Sequence, residues 1–293
     1  MDVPFTKMHG LGNDFMVIDN RSGSYTLNAQ LIRRWSDRHF GIGFDQLLVV
    51  EEASVDGALF DYRIYNADGL EVEHCGNGAR CFARYVTDRG MTDATSIAVN
   101  TKGGLITLRL LDNGDVTVDM GIPNFVPANI PLLADAEHLQ YVLPLSATLA
   151  TNAGEITKQN NTELDQAYFG SVVIANPHAV LLVDDVDTAA VERLGPILES
   201  HAVLPSRINV GFMQVLTDNK IRLRVFERAV GETQACGTGA CAAVAVGIQQ
   251  KLLRREVAVS LPGGKLKIVW PENNKSIEMT GPCSTVFEGQ TRM

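Results

Sequence analysis

Apolar and polar positions along this chain follow two rhythms. Short apolar or β-branched runs at 15–19, 97–99, 179–184 and 257–259 read as strands, while segments 28–39, 78–88, 188–200 and 239–248 read as helices. In the helix predicted over 78–88, Ala79, Phe82, Ala83 and Val86 share one face, and Gly90 suits a C-terminal cap. The segment 239–248, GACAAVAVGI, has no polar face and must be buried on every side. Strands alternating with helices predict an α/β fold.

Laid against itself, the chain repeats. RIYNADGLEVEHCGNGA from Arg63 matches RVFERAVGETQACGTGA from Arg224 without a gap, which puts Asn66 on Glu227, Glu71 on Glu232 and Cys75 on Cys236. The flanks follow the same order. An Asn opens a strand (Asn13, Asn176), a helix follows, and GFDQ from Gly43 or GFMQ from Gly211 leads into the next strand. After each Cys-Gly-x-Gly-Ala comes a helix, then a strand and a Gly-Gly pair (Gly103-Gly104, Gly263-Gly264). The pattern predicts a duplicated α/β domain, with repeats at 1–121 and 122–280. The linker falls in 121–131, where three prolines interrupt regular structure. The polar stretch 148–165 has no counterpart and reads as a surface loop or inserted hairpin. The residue pattern leaves open which half takes the tail from Gly281.

Composition narrows the function. The 293 residues are 45% hydrophobic and 20% charged, a balance that builds a full core. A formal net charge of −9 argues against nucleic acid, whose phosphates need clustered Lys and Arg. Lys251, Arg254 and Arg255 form only a short cluster and read as a helix end. No apolar run is long enough to span a bilayer, and residues 1–9 lack a signal-peptide pattern, so the reading is a cytoplasmic protein with reduced thiols. The spacings Cys75-x5-Cys81 and Cys236-x4-Cys241 match no usual zinc pattern, and no metal is expected, at His74 or elsewhere. Gly10-x-Gly12 and Gly41-x-Gly43 lack the residues a phosphate loop or dinucleotide site requires.

Chemistry concentrates at the two cysteines. Each stands at the start of a predicted buried helix, where the first N–H groups lack intrahelical partners and carry partial positive charge. Such a position favours a thiolate and can bind a carboxylate. Two such ends, face to face through pseudo-twofold packing of the repeats, would hold one carboxylate with a thiol on either side. One thiolate could then take an α-proton while the opposite thiol returned one to the other face. Cys81, Cys241 and Cys283 read as small core residues.

The segments FTKMHGLGNDF from Phe5, GIGFDQLLVVE from Gly41, YNADG from Tyr65, HCGNGARC from His74, ANPH from Ala175, RINVGFMQ from Arg207 and FERAVGETQACGTGAC from Phe226 run in order through the chain. With them the chain closely resembles the diaminopimelate epimerase family, whose relatives include proline racemase and the phenazine-biosynthesis isomerases. The resemblance implies two α/β domains, each a curled sheet around a central helix, with the tail 281–293 returning to the first. It implies interconversion of LL- and meso-2,6-diaminopimelate in lysine and peptidoglycan precursor synthesis, without pyridoxal phosphate or another cofactor, by a protein that is often a homodimer. Cys75 and Cys236 would carry the proton transfers. The backbone at Gly76-Asn77 and Gly237-Thr238 would hold the reacting carboxylate, and Glu227 the reacting ammonium. Asn13, Gln46, Asn66, Asn176, Asn209 and Arg228 would grip the substrate, with His178 near the reacting centre assisting proton transfer. Four charged groups on such a substrate suit several amides and an Arg. A proline-type racemase would need little distal recognition, which the Asn set and Arg228 supply. A non-catalytic amino-acid binder would need no pair of thiols.

Overall fold

The computed structural model describes residues 1–73, 75–145 and 166–293, so the polar stretch 148–165 lies outside the described residues, as does His74. The chain forms two compact units, Met1–Asp119 with Met279–Met293, and Met120–Glu278.

In the first unit the order is β1 (Asp2–Gly10), β2 (Asn13–Asp19), α1 (Ala29–Ser36), β3 (Gln46–Glu52), β4 (Phe60–Asn66), α2 (Gly76–Asp88), β5 (Ser96–Thr101), β6 (Gly104–Leu110) and β7 (Val116–Asp119). The sheet is mixed: β2–β3 and β4–β5 are parallel, and the other neighbours antiparallel. A C-terminal strand, Ser284–Arg292, lies antiparallel to β1, with Asp2 opposite Arg292. The sheet curls around α2 without closing, and the helix touches β1, β2, β3, β6 and β7. Leu47 and Val49 join Trp35 and Ile32 of α1 on one face, while Leu48 meets α2 on the other. A strand covered on both faces has no polar side, hence the unbroken run LLVV at its heart.

The second unit contains β8 (Tyr141–Pro144), β9 (Gln166–Ile174), β10 (Asn176–Leu182), α3 (Val191–Glu199), β11 (Asn209–Thr217), β12 (Lys220–Glu227), β13 (Gly231–Thr233), α4 (Gly237–Gln249), β14 (Glu256–Leu261) and β15 (Gly264–Val269). Here α4 is the central helix, against β9 to β12 and β15, and all residues from Gly237 to Gly247 are buried. The all-apolar helix therefore sits where its composition requires. Among the described residues, no helix is long and apolar enough to cross a membrane.

Several boundaries differ from the expectation. The first helix stops at Ser36 rather than 39, because the Asp37 carboxylate accepts the N–H groups of His39 (2.7 Å) and Phe40 (2.8 Å) and turns the chain. Gly41 completes that turn, since a Cβ there would lie 2.2 Å from the Arg34 carbonyl oxygen. The third helix spans 191–199, shorter than 188–200. Lys251, Arg254 and Arg255 lie beyond α4, with Lys251 already in the left-handed region. The proline-rich stretch 121–131 includes a 3-10 turn, Pro127–Asn129, and a bridge from Asn124 to Val173.

One alignment is overturned. Phe15 lies beside Gln46 in the parallel β2–β3 register, as His178 lies beside Asn209 in β10–β11. Gln46 is opposite Asn66, and Val210 opposite Phe226, one step short of Asn209 opposite Glu227. Thus Gln46 corresponds to Asn209, not to Gln214 as the GFDQ and GFMQ lettering suggested. That lettering is displaced by an odd number of residues, which in a strand would turn each side chain to the opposite face.

Candidate active site

Each cysteine of the repeated motif is a helix N-cap. Cys75 (φ −143°, ψ 105°) caps α2, and its Sγ accepts the Gly78 N–H at 3.4 Å. Cys236 (φ −107°, ψ 107°) caps α4, and its Sγ accepts the Gly239 N–H at 3.3 Å. Sulfur takes the role usually given to Ser, Thr or Asp, so both thiols stand in the field of unpaired backbone donors. Both glycines face close neighbours, Gly78 the more tightly. A Cβ on Gly78 would come within 2.5 Å of the Tyr62 hydroxyl, and one on Gly239 within 3.0 Å of Val225.

Around Cys75, the Asn13 carbonyl oxygen lies 3.8 Å from Sγ and accepts the Asn77 side-chain amide at 3.3 Å. Gly76 and Asn77 are buried in the first turn of α2. At the paired ends of β3 and β4, Gln46 donates its amide to Asn66 Oδ1 at 2.8 Å. Gln46 Oε1 is buried with no hydrogen-bond partner among the described residues.

Around Cys236, Thr238 Oγ1 lies 3.5 Å from Sγ. Glu227, at the end of β12, accepts the Thr233 hydroxyl across the hairpin, and Gly237 and Thr238 open the buried helix. Asn209 Oδ1 accepts the Arg228 backbone N–H at 2.8 Å, while the exposed Arg228 guanidinium reaches the Ser206 carbonyl at 3.1 Å. The expectation of a more acidic thiol meets a correction at Cys236. Burial, followed by the Glu227 charge, pushes this thiol well above the ordinary range, against the lowering bonds from Thr238 and Gly239. Desolvation outweighs the helix end.

His178 is fully buried, with Nε2 2.7 Å from Asn176 Oδ1. Burial, then the Arg228 charge, brings its pKa down to about 3, so the ring is neutral at physiological pH. A neutral ring that donates from Nε2 holds the Asn176 side-chain carbonyl and leaves its NH2 free for other partners. The depressed pKa has a consequence for stability. Below the unfolded value of 6.5 the unfolded chain takes up a proton that the folded chain refuses, so stability falls as pH drops from 6.5 toward 3. Between 6.5 and 5 the expected loss is about 2 kcal/mol. Urea midpoints at pH 7 and pH 5 measure it, and His178→Gln should flatten the dependence; an equal loss in both proteins would assign it elsewhere.

Two features escaped the sequence reading. Arg63 pairs with Glu71 at 3.5 Å and Arg224 with Glu232 at 2.6 Å, tying each strand before the motif to the arm that carries the cysteine. The signal was visible, because both residues recur in the repeat. The other is an ionic cluster about Asp14 and Asp45, which has no motif to announce it.

This architecture is shared with solved structures. A phenazine biosynthesis protein of the PhzF family from Bacillus anthracis superposes with a TM-score of 0.69 at 16% identity, covering 100% of both chains. A hydroxyproline epimerase from Agrobacterium vitis, with bound trans-4-hydroxy-L-proline, gives 0.66 at 14% identity over 99% of this chain and 92% of the other. At such identity these likenesses define the fold class alone, a mixed α/β fold with a curled, unclosed sheet. The diaminopimelate epimerase family model matches residues 5–126 and 170–286. The diaminopimelate epimerase of Cupriavidus metallidurans is 50% identical over 289 residues, 99% of this chain and 97% of that one. The chain belongs to the diaminopimelate epimerase family.

Proposed function

We propose that this protein interconverts LL- and meso-2,6-diaminopimelate by a two-base mechanism, with Cys75 and Cys236 as the acid–base pair. The observation that carries the reading is the matched geometry of the two thiols, each an N-cap accepting the N–H three residues on. In one direction a thiolate removes the α-proton; the other thiol delivers a proton to the opposite face, so configuration inverts and the protons balance. Charge built up on the substrate carboxylate falls to backbone N–H groups at Gly76-Asn77 and Gly237-Thr238, whose dipoles are already oriented. Glu227 meets the reacting ammonium; burial and the Glu227 charge hold the Cys236 thiol protonated in the free protein, and the bound ammonium, by offsetting that charge, lets Cys236 serve as the base while Cys75 donates. Asn13, Gln46, Asn66, Asn176, Asn209 and Arg228 recognise the remaining charged groups, with the buried Gln46 Oε1 suited to an ammonium. His178 serves by orienting Asn176.

The chemistry calls for no cofactor. The reading places the protein in the cytoplasm, in lysine and peptidoglycan precursor synthesis, as a homodimer of two-domain chains divided near residue 121 with 281–293 returned to the first domain. Proton NMR of LL-diaminopimelate in D2O with reduced, cofactor-free protein tests the activity. Deuterium at the α-carbon with meso product is expected. Inert diaminopimelate alongside exchanging proline would overturn the substrate assignment.

A further inference from the structure

Beyond the residues assigned above, a ring of charged side chains surrounds the start of β2. Arg38 binds the Asp14 carboxylate at 2.8 and 3.0 Å and reaches Asp45 at 2.7 Å. Lys7 holds Asp14 from the other side at 2.5 Å and also bonds the Gly43 carbonyl. The two acids secure each other's backbone: Asp45 N–H donates to Asp14 Oδ1 at 3.0 Å, and Asp14 N–H to Asp45 Oδ2 at 3.1 Å. Burial raises the Asp14 pKa, but the bonds from Arg38 and Lys7 more than offset this and bring it to about 2. Arg38 and Asp45 are half exposed, and either pair alone would hold little. Closure through two backbone N–H groups is what fixes the Asp45 carboxylate in place.

That fixed carboxylate accepts the Asn13 side-chain N–H at 2.8 Å. A carboxylate accepts and does not donate, so Asn13 must give it nitrogen and turn its oxygen the other way. The oxygen then faces the Cys75 sulfur at 3.8 Å and the Asn77 amide at 3.3 Å. An acceptor beside sulfur stabilises S–H relative to the thiolate.

We propose that Asp45, held by Arg38, is a positioning residue that locks the Asn13 amide with its oxygen toward Cys75 and so keeps that thiol protonated, ready to deliver a proton. This rests on the acid–base role of Cys75 proposed above. Tyr62 of β4 and Cys81 of α2 are electrostatically linked to Cys75, and burial keeps both neutral. Arg80 lies on the same helix, Lys7 and His9 on β1, Asp14 on β2, Glu51 and Glu52 on β3, Arg109 on β6 and Asp119 on β7. None of these is altered in the test.

The test follows iodoacetamide alkylation of Cys75 against pH by peptide mass spectrometry in the full chain. Asp45→Ala should move the Cys75 profile toward lower pH and raise alkylation at pH 7 by roughly tenfold, the equivalent of about one pKa unit. Removing a negative charge could act at a distance, so Asn13→Ala is the control. In that background Asp45→Ala should leave the profile nearly in place. An equal shift with and without Asn13 would overturn the lock, as would no shift in Asp45→Ala. If Asp45→Ala does not fold, Arg38→Met should give a smaller shift of the same sign, and an unchanged profile there overturns the proposal. Isotope exchange by Cys75→Ser beside the unaltered protein decides separately whether Cys75 belongs to the chemistry at all.

Discussion

Replacing either Cys75 or Cys236 with alanine is expected to lower kcat for diaminopimelate epimerisation by on the order of 10²–10⁴, the usual contribution of a positioned acid or base. The fold should survive. Each sulfur contributes one cap bond to its helix, at 3.4 and 3.3 Å, and loss of a cap costs about 1 kcal/mol. Serine separates the two roles of the sulfur. Ser is a preferred N-cap, so Cys75→Ser and Cys236→Ser should melt close to the parent while remaining as slow as the alanine variants, because a hydroxyl is too weak an acid to replace the thiol. Steady-state kinetics with thermal melts on all four proteins measure this. A serine or alanine variant within tenfold of the parent kcat would remove that cysteine from the mechanism.

The second large effect is expected at Gly78. Its N–H is capped by the Cys75 sulfur, and its missing side chain leaves room for the Tyr62 hydroxyl, 2.5 Å from an ideal Cβ, and for Leu48 at 3.1 Å. Tyr62 is fully buried and tilted against Phe82, so it has little freedom to retreat. Gly78→Ala must therefore lift the start of α2 from the sheet, at a cost of about 1–3 kcal/mol for overpacking. Cys75 moves with it, and a displacement of about 1 Å can cost roughly 10²-fold in rate. Removing the obstacle should help: Tyr62→Phe in the Gly78→Ala protein is expected to recover part of the stability. Urea unfolding and kcat for the single and double variants check the argument. A Gly78→Ala protein with unchanged unfolding midpoint and rate would show that the helix start tolerates displacement.

Local pattern and duplication made much of this protein legible. The apolar strands, the helix with no polar face and the Cys-Gly-x-Gly-Ala repeat each depend on neighbours in the chain, whose period and spacing sequence preserves. The GFDQ and GFMQ match failed for a related reason. Four similar letters carry no record of register, and only the hydrogen-bonded ladders put Gln46 on the position of Asn209. The ring of Lys7, Asp14, Arg38 and Asp45 was likewise invisible, because its members come from β1, β2 and the loop between α1 and β3.

By itself, then, the sequence determined the fold class, the duplication, the capping cysteines and the family, all written in short-range periodicity and repeated motifs. Tertiary structure decided which amide atom each Asn and Gln presents, which face each strand turns inward and how acidic a buried thiol is. Those properties depend on burial and on charges brought together from distant positions. The Cys236 thiol shows the division plainly: its place at a helix start can be read from the chain, whereas its raised pKa arises only when folding buries it beside Glu227.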